Sequence, residues 1–212
     1  MPLKFLRHLF FIMLIVSCNN ITKGVLPIYN PSNFNPELVD KSLQNTTKNH
    51  TVTDFSLINQ NGKTITQVDY QDKIYVADFF FTKCGTICPI MTNNMAMLQQ
   101  EFLNNEDVLF LSLSVTPDID NVPVLREYAT NKGVIDSKWH VTTGDKKHIY
   151  ELARKSYFAV VEQGDGGLQD FIHTPNFILV DKKKQIRGIY DGTSIEDINR
   201  IIEDIKILQN SF

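Results

Sequence analysis

Cysteine is scarce in this chain, with three residues in 212. That excludes a disulfide-stapled scaffold, which needs more bridges than three cysteines can form. Charge of one sign is lacking too: the formal net charge is −3. A nucleic-acid surface needs a broad basic face, so no nucleic-acid partner is expected. The N-terminal apolar stretch, residues 9–16, is too short to span a bilayer comfortably. No internal repeat is visible, which excludes a solenoid. What is present is 42% hydrophobic residues, enough for a real core. The length predicts one domain with appendages.

The N-terminus has a secretory pattern. Lys4, Arg7 and His8 precede the apolar stretch, and Ser17 and Cys18 follow it. A basic region, a short apolar region and a small residue predict a signal peptide over residues 1–17. Ile15-Val16-Ser17-Cys18 resembles a bacterial lipobox. The resemblance implies cleavage before Cys18 and lipidation of Cys18, and several acyl chains anchor stably where one does not. The alternative is a short uncleaved anchor in which Cys18 is just a small apolar residue. Either way the folded part is expected in the cell envelope, on the extracytoplasmic side of the membrane. A dithiol there tends to oxidise, so a thiol reductant protein is an expected partner. Residues 18–50 are rich in Asn, Thr, Ser, Lys and Pro without a sustained period and read as a flexible linker. Within it, residues 26–29 are apolar enough to pack as a short extended segment.

Residues 51–212 read as the folded domain. Residues 52–58 and 63–66 form a hairpin across Asn59-Gln60-Asn61-Gly62, because Asn-Gly favours positive φ. Residues 74–81 and 108–115 are nearly continuous apolar runs, as strands buried on both faces would be. Shorter strands are predicted at 139–142 and 158–161, and a second hairpin at 176–181 and 185–190. Helices are predicted to about residue 104 after Cys88, from Asn121 or Val122 to 131, from Asp145 to 156, and to about 208. The last opens on Thr193 with Glu196, or Ser194 with Asp197, each fitting a capping box. Strands alternating with helices, then a closing hairpin and helix, predict an α/β sandwich with a mixed central sheet flanked by helices.

The chemistry concentrates at residues 77–95. An aromatic strand runs into Thr82-Lys83-Cys84-Gly85-Thr86-Ile87-Cys88-Pro89, and an apolar-periodic helix follows. Two thiols therefore sit at a helix N-terminus, where unpaired N–H groups and the helix dipole favour a thiolate. Such thiols are reactive or metal-binding. Pro89 suits the first turn, since its missing N–H had no partner there. The bland alternatives are a plain disulfide or inert buried thiols. Three intervening residues put the sulfurs about one helical turn apart, so both can face one ion.

These residues also resemble the Sco/SenC family. The resemblance rests on the Thr82–Pro89 string, His173 before a strand ending in Asp181, Ser114-Val115-Thr116-Pro117-Asp118-Ile119-Asp120, and Tyr190-Asp191-Gly192-Thr193. It covers residues 50–208. It implies a thioredoxin-like three-layer sandwich with an N-terminal β-hairpin. It implies copper, one Cu(I) or Cu(II) per chain, bound by Cys84, Cys88 and His173. It further implies delivery to the copper A subunit of cytochrome c oxidase or another copper acceptor, together with a thiol–disulfide activity. The alternative function is a thiol–disulfide oxidoreductase with Cys84 and Cys88 as its redox pair, so enzymatic activity stays open. Two departures stand out. Thr116 replaces the family's usual Asp, and Pro175, six residues before Asp181, matches the spacing of the cis proline in thioredoxin-like reductases. A cis Thr174–Pro175 bond is the expectation.

The remaining candidates divide by chemistry. Two thiolates and an imidazole suit copper by softness. Structural zinc normally takes four protein ligands and iron–sulfur clusters more cysteines. Asp78 is either an outward-facing polar residue or a carboxylate that tunes a thiol or orients His173. Met91 and Met95 share one helix face and read as core packing before thioether ligation. His50, His140 and His148 lack ligand spacing and read as surface residues, the 182–184 lysine turn reads as solvated, and the glycine-rich 164–167 loop lacks the context of a phosphate cradle.

Overall fold

The computed structural model describes residues 24–34, 49–160 and 171–212. The signal peptide, Cys18, most of the expected linker and the 164–167 loop lie outside the described residues.

Seven strands form one mixed sheet. They are β1 (Ser56–Asn59), β2 (Thr64–Thr66), β3 (Ile74–Phe80), β4 (Val108–Ser114), β5 (Trp139–Thr143), β6 (Asn176–Val180) and β7 (Ile186–Asp191), in the order β2-β1-β5-β4-β3-β6-β7. β3, β4 and β5 run parallel, while β6 lies antiparallel to β3 and β1 antiparallel to β5. Every residue of β3 and β4 is buried. That is why both read as unbroken apolar runs: each face of the sheet is covered.

Helices α1 (Cys88–Glu101), α2 (Val122–Asn131) and α4 (Ile195–Gln209) cover one face; α3 (Lys146–Glu151), extended by a π-helical turn Leu152–Ser156, covers the other. Alternation along β3 sorts its side chains. Ile74, Val76 and Phe80 enter the α1–α4 layer, and Tyr75, Ala77 and Phe79 the α3 layer. Asp78 falls in register with the first set. No helix among the described residues is long and apolar enough to cross a membrane.

Local chemistry sets the boundaries. Gly62 turns the first hairpin at φ +76°, and Asn59 Oδ1 accepts the Asn61 and Lys63 N–H groups. Asn121 Oδ1 caps α2, Asp145 Oδ1 caps α3 and Ser194 Oγ caps α4. The box at Ser194 is half realised, because Asp197 Oδ2 accepts from Asp191 N instead. Residues 52 and 53 stay out of β1, since Val52 N bonds to Lys184 O and Thr53 N to Ser156 Oγ.

The strand expected at 158–161 is a correction: residues 158–160 form none. Phe158 takes φ +50°, Ala159 N bonds back to Ala153 O, and Ala159 O accepts from Thr174 and Asn176 side chains. With its hydrogen bonds taken locally and by side chains, this segment offers no ladder. Residues 26–29 do pack on the domain. Tyr29 N bonds to Ile186 O on β7, and Arg187 donates to the Leu26 and Pro27 carbonyls.

Candidate metal and thiol site

Cys84 follows the carboxyl end of β3, and Cys88 is the first residue of α1. Both are free thiols. No side chain caps α1 from its own N-cap position, Ile87; the Cys84 sulfur instead accepts the Cys88 N–H at 3.4 Å. The Thr86 hydroxyl lies 3.6 Å from the same sulfur. These contacts make the two thiols unequal. Burial pushes the Cys84 thiol up, but the Cys88 thiol and N–H and the Thr86 N–H and hydroxyl outweigh it and bring it down to about 6. Burial and donation to Cys84 push the Cys88 thiol up to about 12, with the charges of Cys84 and Asp78 adding to the effect. These opposed shifts favour a thiolate at Cys84 over one at Cys88.

Asp78 lies in the apolar layer beneath this turn and is 3% exposed, which removes the outward-facing reading. Its Oδ1 accepts from the Ser112 hydroxyl, which in turn accepts from Trp139 Nε1 at 2.9 Å. Burial outweighs that hydrogen bond and raises Asp78 to about 7. Thr92 donates to the Cys88 carbonyl at 2.7 Å and bonds to Tyr128 Oη at 2.6 Å, fixing the first turn of α1 from the α2 side.

Asp120 is a site residue whose role the sequence did not mark. It is fully buried and accepts from Thr82 N and Oγ1, Ser114 Oγ and Thr116 Oγ1. It thereby locks the chain two residues before Cys84 to the end of β4. The one available signal was a polar Ser-Val-Thr-Pro-Asp-Ile-Asp string at the end of a buried strand. Thr116 now has a physical account. Its hydroxyl donates to Asp120 at 2.9 Å, where an Asp would set a second carboxylate against the first. Asp120→Ala should destabilise the fold by about 2 kcal/mol in urea unfolding, because several buried donors lose their acceptor. A loss too small to resolve would refute that account.

His173 is exposed, and its ring centroid stands 6.3 Å from that of Phe81, whose carbonyl accepts the Cys84 N–H. Phe171, 49% exposed, meets Phe81 edge-on at 5.0 Å. The structure thus brings Cys84 and Cys88 together and sets His173 against Phe81, three residues before Cys84. Among the described residues, no three His, Cys, Asp or Glu side chains are grouped to hold a metal ion. The expected cis Thr174–Pro175 bond is corrected: no peptide bond among the described residues is cis. The trans form is the lower-energy default. Here it leaves the Pro175 carbonyl to accept from Gly192 N and the Thr174 hydroxyl to reach Ala159 O.

Met91 and Met95 are buried in the α1–α4 core, at 1% and 0% exposure, as packing residues are. His50 and His140 correct the surface reading. His50 Nε2 bonds to Ser156 O at 2.7 Å and its ring meets that of Phe158 at a tilt, and His140 Nδ1 bonds to Tyr70 Oη at 2.8 Å. In the basic turn, Lys182 and Lys184 pair with Asp107 and Asp54.

The SCO1/SenC family model matches residues 43–210. The chain belongs to the SCO1/SenC family. A SCO1 protein homolog of Bacillus subtilis is 35% identical over 160 residues, covering 74% of this chain and 82% of that protein. A SCO1/SenC family lipoprotein from Bacillus anthracis matches with TM-score 0.67 and 33% identity, over 76% of this chain and 95% of that one. BsSco, described with a disulfide switch and as one of the Sco family of cytochrome c oxidase assembly proteins, matches with TM-score 0.64 and 34% identity, over 75% and 93%. Arabidopsis thaliana ScoI, solved with copper bound, shares the fold at TM-score 0.60 and 23% identity, over 76% and 99%. The thioredoxin-like α/β fold of this SCO1/SenC chain is the fold of those proteins.

Proposed function

We propose that this protein is a lipid-anchored, extracytoplasmic copper carrier that supplies or matures the copper A site of cytochrome c oxidase. Copper is its cargo, one ion per chain, held by Cys84, Cys88 and His173. The observation that carries the reading is the Cys84 sulfur accepting the Cys88 N–H at the start of α1, with an exposed imidazole against Phe81. Two sulfurs and an imidazole form a soft donor set that fits Cu(I) and can also hold Cu(II). Ligation by His173 requires its ring to turn from Phe81 towards the sulfurs, and its exposure leaves it free to do so. Membership in a family that includes a cytochrome c oxidase assembly protein and a lipoprotein supports the acceptor and the Cys18 anchor.

The pair must be reduced before loading, because a disulfide offers no thiolates. With Cys84 lowered and Cys88 raised, the proton that loading must expel is mainly that of Cys88. Asp78, close enough for its charge to raise Cys88, is the carboxylate that tunes that thiol.

The asymmetry of the two thiols favours a second reading, thiol–disulfide exchange. The Cys84 thiolate attacks a partner disulfide and releases one partner thiolate, forming a mixed disulfide. Cys88, deprotonated, then attacks Cys84 Sγ, releasing the second partner thiolate and leaving a Cys84–Cys88 disulfide. The partner gains two electrons, and a thiol reductant protein must return them to the pair. The trans Pro175 bond lacks the reductase geometry and weighs against this reading.

Copper titration of the reduced protein separates the two. The reduced protein should bind one copper tightly, with sulfur-to-metal charge transfer as Cu(II), and His173→Ala should weaken binding at least about tenfold. Equal binding by both proteins would remove His173 from the ligand set and leave the redox reading.

A further inference from the structure

The helix that carries Cys88 and the segment that carries His173 meet at one residue, Gly192. Asn94 lies in α1, six residues after Cys88, and is buried at 8% exposure. Its Nδ2 donates to Gly192 O at 2.7 Å. The N–H of the same residue, Gly192, donates to Pro175 O at 2.7 Å. Pro175 stands two residues after His173. On the other side of Pro175, the Thr174 hydroxyl is tied to Ala159 O at 2.9 Å. The base of the His173 segment is therefore held from two directions, and one of them leads through Gly192 and Asn94 into the cysteine helix.

Close approach makes this joint rigid. A Cβ on Gly192 would meet the Phe177 ring at 2.7 Å and Pro175 O at 2.8 Å. Only glycine lets the backbone come so near. A buried amide side chain in an apolar layer persists where its hydrogen bonds are made, and Asn94 spends one of them on this joint. Removing that donor leaves Gly192 O without it in the core and loosens the residue whose N–H grips Pro175.

We infer that Asn94 is a positioning residue for metal binding: through Gly192 it sets the base of the His173 segment relative to the cysteine turn. The inference rests on the reading that His173 and the two sulfurs hold copper together. Asn94 touches no ligand, so its action should pass through His173 alone.

The test is a double-mutant cycle on the reduced protein, with Cu(I) affinity read by competition with a chromophoric chelator. Asn94→Leu keeps the side-chain volume and removes the donor; Asn94→Ala is the second variant should the first not fold. With His173 present, losing Asn94 should weaken copper about tenfold, the size of effect seen when partners that orient a ligand are lost. In the His173→Ala background it should weaken copper no further. Hydrogen exchange at the Gly192 amide of the copper-free variant should quicken, while alkylation of Cys84 stays at the wild-type rate. An equal loss in both backgrounds, or no loss in either, overturns the inference and makes Asn94 a packing residue. If wild type and His173→Ala bind copper equally, the reading beneath it fails first, and that result is seen without any Asn94 variant.

Discussion

Asp78→Asn should stabilise the folded chain by about 4 kcal/mol near pH 8 and by almost nothing near pH 4. The carboxyl is buried between β3 and α1 with one hydroxyl donor, and burial raises it from 3.8 to about 7. An acid whose folded pKa is raised is most stabilising while protonated. Its contribution is complete below the unfolded value and is lost as pH rises through the folded one. Above about pH 7 the wild type must hold a poorly solvated carboxylate in its core, and the variant does not. An amide can still accept from Ser112 through its oxygen, so the packing and the Trp139–Ser112 link survive. Urea midpoints for both proteins across this pH range give the test. A constant difference across the range, or an Asn variant that is weaker throughout, would refute the burial argument. A group that costs this much folding free energy at working pH calls for another reason to be there. The charge of Asp78 acting on Cys88 supplies one: it adds to the burial and the Cys84 bond that keep the second thiol protonated. Asp78→Asn should accordingly lower Cys88 only slightly, with burial and the bond to Cys84 still holding it up.

The same residue marks where reading the sequence stops. β3 and β4 were legible because both sheet faces are covered, so each strand is apolar at every position but a few. The caps on α2, α3 and α4 were legible because Asn121, Asp145 and Ser194 act on backbone groups a few residues away. Asp78 was not, since a carboxylate inside an apolar run looks alike whether its face meets water or a helix. Alternation gives the parity of a residue, and only the placement of α1 says what covers the parity of Asp78. The segment at 158–160 reads as a strand by composition, yet its hydrogen bonds go to Ala153, Thr174 and Asn176. Thr174 and Asn176 lie apart from it in the sequence and leave no local trace. Pro175 shows a further limit, because spacing to Asp181 carries no information about a peptide bond's isomer. At the site, Cys84 and Cys88 announced themselves through a helix start. Asp120 and Asn94 did not, because their work is done on loops that folding brings to them. His173 could be named from its string, but its place against Phe81 belongs to the tertiary structure.

Alkylation at neutral pH should mark Cys84 on the order of a hundredfold faster than Cys88. With Cys84 down to about 6 and Cys88 up to about 12, the first is mostly thiolate and the second hardly at all. The thiolate populations alone differ by roughly five orders of magnitude. A thiolate of lower pKa is a weaker nucleophile, which returns roughly half a decade per unit and leaves the smaller net ratio. Both cysteines are buried, at 8% and 3% residue exposure, so access favours Cys84 without creating the preference. Peptide mapping after a short pulse of iodoacetamide reads the ratio. The Cys84 rate should halve near pH 6 and the Cys88 rate should still be climbing at the alkaline limit of the fold. Cys84→Ser then tests the cause. It removes the anion to which Cys88 donates and the like charge that opposes a second thiolate. Cys88 should label faster in that variant than in the wild type, though burial still holds it above an ordinary thiol. Equal labelling in the wild type, or a Cys88 rate unmoved by the substitution, would mean that the two thiols are not coupled. The order in which they take copper or attack a disulfide would then have to come from exposure alone.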